Sequence, residues 1–193
     1  MAKIYTRSGD KGETSLFTGE RVLKNDPFIE ALGTVDECNS TIGLAIAHMP
    51  DNEIYSGLKQ QLVMIQHALF DLGAAIATPR TRAKEDKIDK TRFDEKEIEI
   101  LEKWIDEMDL QLPKLKHFIL PGGHPAGAML HLARSVCRRA ERQVIPLSRH
   151  SDVSDKITRY LNRLSDYLFM ASRWNNHLAN MPETPWKQHL AIK

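Results

Sequence analysis

Arg134-Ser-Val-Cys-Arg-Arg-Ala-Glu-Arg142 lies inside a helical pattern that opens just after Pro121-Gly-Gly-His-Pro125. Met129, Ala133, Val136, Cys137, Ala140 and Val144 recur at helical spacing and give one apolar face. At about 100° per residue, Arg134, Arg138 and Arg142 fall on a separate stripe beside that face. Glu141 lies on the boundary, three residues from Arg138 and within pairing reach of it. A guanidinium at the edge of a core is partly desolvated, so it holds an anion more strongly than a fully solvated one. Its fork of donors suits phosphate oxygens. The run equally fits a solvated, charge-laced helix face, and by itself it leaves both readings open.

Outward from this helix, the same period recurs. Asp26-Pro27 opens a first helix, with Asp as N-cap and Pro at N1, and Phe28, Ala31, Leu32, Val35, Ile42, Ala45 and Ile46 form its apolar face. A second helix from about residue 52 to 77 carries a seam of Leu58, Leu62, Ile65, Leu69, Leu72 and Ile76. Asp94 is expected to cap a third, with Ile98, Leu101, Ile105 and Met108. The arginine helix is expected to stop near Pro146. Ser154 or Asp155 opens a fifth, with Ile157, Leu161, Leu164, Leu168 and Ala171 on its seam and Asn162, Asp166 and Arg173 off it. No segment of strand period rivals these helices. The expected fold is all-α, an up-and-down bundle of four or five helices of ferritin-like type.

Two stretches interrupt the helices. Residues 79–93 are charged and poor in apolar side chains, and they read as a mobile connection. Leu112 to His124 is irregular, and its Phe118, Ile119 and Leu120 fit either core plugs or the lining of a pocket for a large flat ligand.

A chain of 193 residues is expected to form a single domain, 1–193, with a loop over 1–25 and a bundle over 26–180. The net charge of +1 points to no nucleic-acid partner, so any anion site must be local. The basic stripe also lacks the interleaved aromatics of an RNA binder. Cys38 and Cys137 lack metal-ligand spacing and read as reduced core residues of a cytoplasmic protein. No stretch has the length and apolarity of a signal peptide or a membrane span. His124 and His131 lie seven apart, but neither H-E-x-x-H nor a Glu/His di-iron pattern occurs, so the histidines read as structural or solvated and no protein metal ligand is assigned.

The loop Ile4-Tyr-Thr-Arg-Ser-Gly-Asp-Lys-Gly-Glu-Thr-Ser-Leu-Phe-Thr-Gly19 is dense in glycine, hydroxyl and charge. Gly9, Gly12 and Gly19 permit turns that aim several backbone N–H groups at one anion. Thr6, Ser8, Thr14 and Ser15 supply hydroxyls, and Arg7, Lys11 and Lys24 supply positive charge. The segment is neither a Walker A loop nor a dinucleotide fingerprint. Its chemistry is that of a phosphate cradle, or of a polar arm that is merely solvated.

Three separated motifs then come together: Tyr5-Thr-Arg-Ser-Gly-Asp-Lys-Gly12, Ala31-Leu-Gly-Thr-Val-Asp-Glu37, and Cys137-Arg-Arg-Ala-Glu-Arg142 with Leu161-Asn-Arg-Leu-Ser-Asp-Tyr167 behind it. Together they resemble the PduO-type ATP:cob(I)alamin adenosyltransferases, over about residues 3–180. The resemblance implies a five-helix bundle assembled as a homotrimer, with ATP and corrinoid at subunit interfaces. It implies that Thr6, Arg7, Ser8, Gly9, Thr14, Ser15 and Lys24 wrap the triphosphate. Arg138, Arg139, Ala140, Glu141 and Arg142 would form a second wall, joined by Asn162. Asp36 and Arg134 would pair across the interface, and Phe118 would close the lower face of the corrin. Lys24, Arg138 and Phe118 would carry catalysis. The implied cofactor is Mg²⁺ with ATP, cobalamin is a substrate, and a reductase and an adenosylcobalamin-dependent acceptor enzyme are the implied partners. Ser8 stands where many relatives have Thr, and Cys38 where Leu is usual. The alternative from a different class is a helical scaffold that binds a nucleotide without chemistry; the loop and the basic helix alone fit it equally well.

Overall fold

Asp26 starts the bundle. Its carboxylate accepts from the Phe28 N–H at 2.9 Å, and Pro27 at N1 sacrifices no helical hydrogen bond. The computed structural model describes residues 4–5 and 7–188. Among them, helices run over α1 (Pro27–Ala47), α2 (Glu53–Ile76), α3 (Glu85–Lys90), α4 (Lys96–Asp109), α5 (Pro125–Arg149) and α6 (Asp155–Leu178). Two short strands, β1 (Glu13–Ser15) and β2 (Arg21–Leu23), pair antiparallel ahead of them, with Thr14 opposite Val22.

The apolar seams meet where their periods place them. Helix α5 packs between α1 and α6, α2 lies against α1, and α4 lies on the outer side of α6. The expected seam of α2 is fully buried, and Val136, Cys137, Ala140 and Val144 of α5 face it across the core with Leu161, Leu164 and Leu168 of α6. Each such aliphatic side chain contributes about 2 kcal/mol by leaving water. The Tyr167 hydroxyl donates to Gln61 Oε1 at 2.9 Å and ties α6 to α2. Trp104 rests on the Tyr167 ring at 5.7 Å and brings α4 onto the same helix.

Three expectations need correction. Helix α5 passes through Pro146 and ends one turn later. A proline near the last turn removes only the hydrogen bond to the Arg142 carbonyl, and burial of Leu147 and the bond from His150 N–H to Pro146 O hold that final turn. The Asp94 carboxylate does accept from Lys96 N–H at 3.1 Å, but the helix boundary falls at Glu95. Arg173, read as lying off the α6 seam, is only 3% exposed. The connection over 79–93 contains α3, whose Glu85 and Asp86 in the first turn and Lys87 and Lys90 in the last complement the helix dipole. Phe93 anchors its far end in the core against Tyr160, with ring centroids 5.0 Å apart.

Candidate functional site

The amino-terminal loop is built around Arg21 of β2, a residue its composition did not single out. Its guanidinium donates to the Ser8 carbonyl at 2.9 Å, to Glu13 Oε2 at 3.2 Å and to Ser15 Oγ at 3.3 Å. One planar fork thereby folds residues 8–15 back onto β2. Arg7 sits at φ 59° and Gly12 at φ 80°, which makes the turn, and Gly12 N–H donates to the Gly9 carbonyl at 3.1 Å. Lys24 lies over Gly9: a Cβ there would stand 3.4 Å from the Lys24 ammonium. Thr6 lies outside the described residues.

The base of this loop is braced from below. Lys87 Nζ donates to the carbonyls of Phe17 and Thr18, both at 3.0 Å. Arg82 pairs with Glu20 at 2.7 Å and lies over the Phe28 ring. Phe17 N–H bonds the Ala77 carbonyl at 3.0 Å, and Leu16 is buried. The segment over 79–93 is therefore a buttress of the loop.

Beside the loop, α1 and α2 leave an open cleft of about 700 Å³. Thr14, Ser15, Lys24 and Asp36 furnish its polar groups, and Leu32, Leu69 and Phe70 furnish apolar walls. A second cleft, of about 570 Å³, opens between α4, α5 and α6, and Arg134, Arg138, Arg163 and Asp166 line it. The Thr14–Lys24 group and the Arg134–Arg138 group thus open on different clefts of the chain.

The arginine stripe divides by its partners. Arg139 pairs with Glu37 of α1, and Asn162 Nδ2 donates to Glu141 Oε1 at 3.0 Å. Glu141 therefore binds α6 instead of Arg138. Among the described residues, Lys24, Arg138 and Arg142 have no ion-pair partner, whereas Arg139, Arg159 and Arg163 do. Arg138 and Arg142 are exposed in this chain, against the expected partial desolvation; only Arg134 is half-buried, and its Nε is buried without a hydrogen-bond partner. Ala140 is fully buried and presents no accessible atom, because it sits on the apolar face of α5 and only spaces the residues on either side.

Phe118 stands on neither cleft. It is 80% exposed and lines a third opening of about 410 Å³ with Leu115, Lys116, His117 and Trp186. Phe118 and Leu120 are too exposed in this chain to be core plugs, and of the three apolar neighbours only Phe118 lines that opening. The segment is held by α6. Asn176 accepts from His124 N–H at 3.0 Å and donates to the Gly122 carbonyl at 3.1 Å. His124 in turn caps α5 through its Nδ1, which accepts from Ala126 N–H at 3.3 Å. Deeper in, His131 Nε2–H donates to Ser172 Oγ at 3.1 Å, since that hydroxyl is already spent on the Phe169 carbonyl. Burial, aided by the nearby Arg134 charge, pushes the His131 imidazole down to about 4.

An all-α bundle with cationic groups left uncompensated beside two clefts defines an anion-binding helical protein. The family model described as cobalamin adenosyltransferase matches residues 4–175. The chain is 44% identical over 189 residues to a corrinoid adenosyltransferase of Mus musculus, covering 98% of this chain and 79% of that protein. It is 40% identical to a corrinoid adenosyltransferase of Bacillus subtilis (strain 168), covering 98% and 95%. Its fold matches, with a TM-score of 0.87, 37% identity and coverage of 96% and 100%, a variant PduO-type ATP:corrinoid adenosyltransferase from Lactobacillus reuteri complexed with cobalamin and ATP. The chain belongs to the cobalamin adenosyltransferase family.

Proposed function

We propose that this protein transfers the 5′-deoxyadenosyl group of ATP to the cobalt of cob(I)alamin, giving adenosylcobalamin and triphosphate. The observation that carries the reading beyond family membership is that Lys24, on the cleft beside the loop, and Arg138, on the cleft between α4, α5 and α6, have no ion-pair partner among the described residues. The reduced cobalt of the substrate attacks the ribose C5′, the C5′–O bond breaks, and the electron pair leaves with the triphosphate. Negative charge grows on phosphate oxygens in that transition state, so the useful protein groups are fixed cations and N–H donors. We assign that role to Arg7, Ser8, Gly9, Thr14, Ser15, Lys24, Arg138, Arg142 and Asn162, together with Thr6. No side-chain base is needed at the attacking atom.

Phe118, on its exposed shelf, closes the lower face of the corrin and keeps an axial ligand away, which makes the reduction to cobalt(I) easier. A reductase supplies the electron, and an adenosylcobalamin-dependent enzyme takes the product. Among the described residues no cluster of three or more carboxylate, imidazole or thiolate groups is placed to hold a metal. Mg²⁺ would arrive on the nucleotide, whose phosphates supply its oxygens. The two clefts of one chain complete each other in a homotrimer, where the loop cleft of one copy faces the arginine cleft of the next. No described helix is long and apolar enough to cross a membrane, and we place the enzyme in the cytoplasm.

The test is an anaerobic assay with chemically reduced cob(I)alamin and Mg-ATP. The expected products are adenosylcobalamin and intact triphosphate. Binding of ATP without product would leave a non-catalytic nucleotide scaffold.

A further inference from the structure

Helix α6 buries a guanidinium where a bundle needs only a hydrocarbon. Burying a charge is costly unless it is paired and fully hydrogen-bonded. Arg173 meets that condition with groups from two segments outside the helices. Its Nε donates to Glu183 Oε1 at 2.7 Å, and its Nη2 donates to Glu183 Oε2 at 3.4 Å and to the Pro113 carbonyl at 2.7 Å. One side chain thus joins the start of the segment that carries Phe118 to the stretch that follows α6.

That stretch returns to Phe118 within three residues. Leu120 N–H donates to the Thr184 carbonyl at 2.9 Å, Ile119 and Pro185 form an antiparallel bridge, and Trp186 N–H donates to the Phe118 carbonyl at 2.6 Å. The ends of the Phe118 segment are pinned on successive turns of α6, at Arg173 by Pro113 and at Asn176 by Gly122 and His124. Its middle is held by residues 184–186, and these are anchored through Glu183. Trp186, 52% exposed, stands beside Phe118 in the same opening.

We propose that Arg173 and Glu183 are positioning residues for Phe118: their half-buried ion pair locks the two segments together and fixes where the Phe118 ring stands against the corrinoid. The proposal rests on the adenosyltransferase reading. It is tested with Glu183→Gln, which keeps the shape and removes the charge. Rates are measured from cob(II)alamin with a chemical reductant and, separately, from pre-reduced cob(I)alamin. The expected result is a loss of about tenfold or more from cob(II)alamin, with the cob(I)alamin rate and the KM for ATP changed less than about threefold. In a Phe118→Ala background the same substitution should cost nothing further, because the ring it positions is gone.

Parallel losses from both starting states, an unchanged Glu183→Gln enzyme, or a full additional loss in the Phe118→Ala background would each overturn the proposal. If Glu183→Gln does not fold, Glu183→Asp, which keeps the charge on a shorter arm, takes its place with the same expected pattern. A wild-type chain that makes no adenosylcobalamin from either start overturns the parent reading and this one with it, whereas normal wild-type turnover beside a flat Glu183→Gln response removes only this one.

Discussion

Arg138 shows how little of a side chain's role lies in its charge. It is exposed, it has no ion-pair partner among the described residues, and it lines the cleft between α4, α5 and α6. If Arg138 holds the triphosphate as proposed, Arg138→Lys keeps the charge but removes the planar fork and its two-pronged donation. Turnover at saturating ATP should fall by about a hundredfold, as for loss of a preorganised donor. Near-normal turnover would remove the phosphate role. His131 is the opposite case, a buried group whose charge the fold rejects. Its folded-state pKa of about 4 lies below the ordinary 6.5, so the unfolded chain binds the extra proton between those values. Arg134 opposes that proton and Glu183 favours it, with burial outweighing both. Stability is therefore full above about pH 6.5 and declines as pH falls toward 4, by on the order of 1 kcal/mol per pH unit. Urea unfolding at pH 7.5 and pH 5 measures this. His131→Gln should flatten the slope between the two; an unchanged slope would assign the acid sensitivity to other groups.

At the scale of elements, the helices were legible because each repeats its apolar residues often enough for the period to outweigh noise. The seams of α2 and α6 lie where their spacing put them, and the Asp26-Pro27 cap is a local signal that needs no tertiary context. What could not be read depends on distant partners. Arg21 looks like any charged strand residue until Ser8, Glu13 and Ser15 fold onto it. Arg173 looks solvated until Glu183 returns to it, and α3 looks like a charged linker until the loop it braces is present. One cue was available: Asn175-Asn176 continues a buried helix with two amides, and buried amides require partners. The Pro-Gly-Gly-His turn supplies them for both groups of the Asn176 amide and for the Asn175 Nδ2. Gly123 sits there at φ 96°, and a Cβ on it would stand 2.5 Å from the Asn176 amide. Gly123→Ala should cost about 1–3 kcal/mol, since it adds both backbone strain and overpacking. Chemical denaturation measures it, and a loss below a few tenths of a kcal/mol would mean that the turn yields freely.

At the scale of the whole molecule, the question is why one chain opens Lys24 and its loop on one cleft and Arg134 and Arg138 on another. Asp36 opens on the cleft beside the loop, Arg134 opens on the other, and the Arg134 Nε is buried with no partner. An unsatisfied buried donor costs about 1–3 kcal/mol, which a carboxylate from outside the chain would recover. If Asp36 of one copy supplies it head to tail, the contact joins two different surfaces and closes as a ring where the rotation allows, as in the proposed trimer. Asp36→Asn and Arg134→Met should then each weaken assembly and activity. The double variant should lose little more than either alone, with a coupling energy of about 0.5–3 kcal/mol. Mixing adds a test that no single-chain role can pass. A chain with Asp36→Asn still carries Arg134, and a chain with Arg134→Met still carries Asp36. Co-assembled at equal amounts, about a quarter of their interfaces pair two intact residues, as random placement in a ring requires. Two nearly inactive proteins should therefore recover roughly a quarter of wild-type activity when unfolded and refolded together, and none when refolded apart and assayed at once. Normal assembly without recovery, or a cycle whose effects simply add, would separate Asp36 from Arg134 and leave the orphaned guanidinium to another partner.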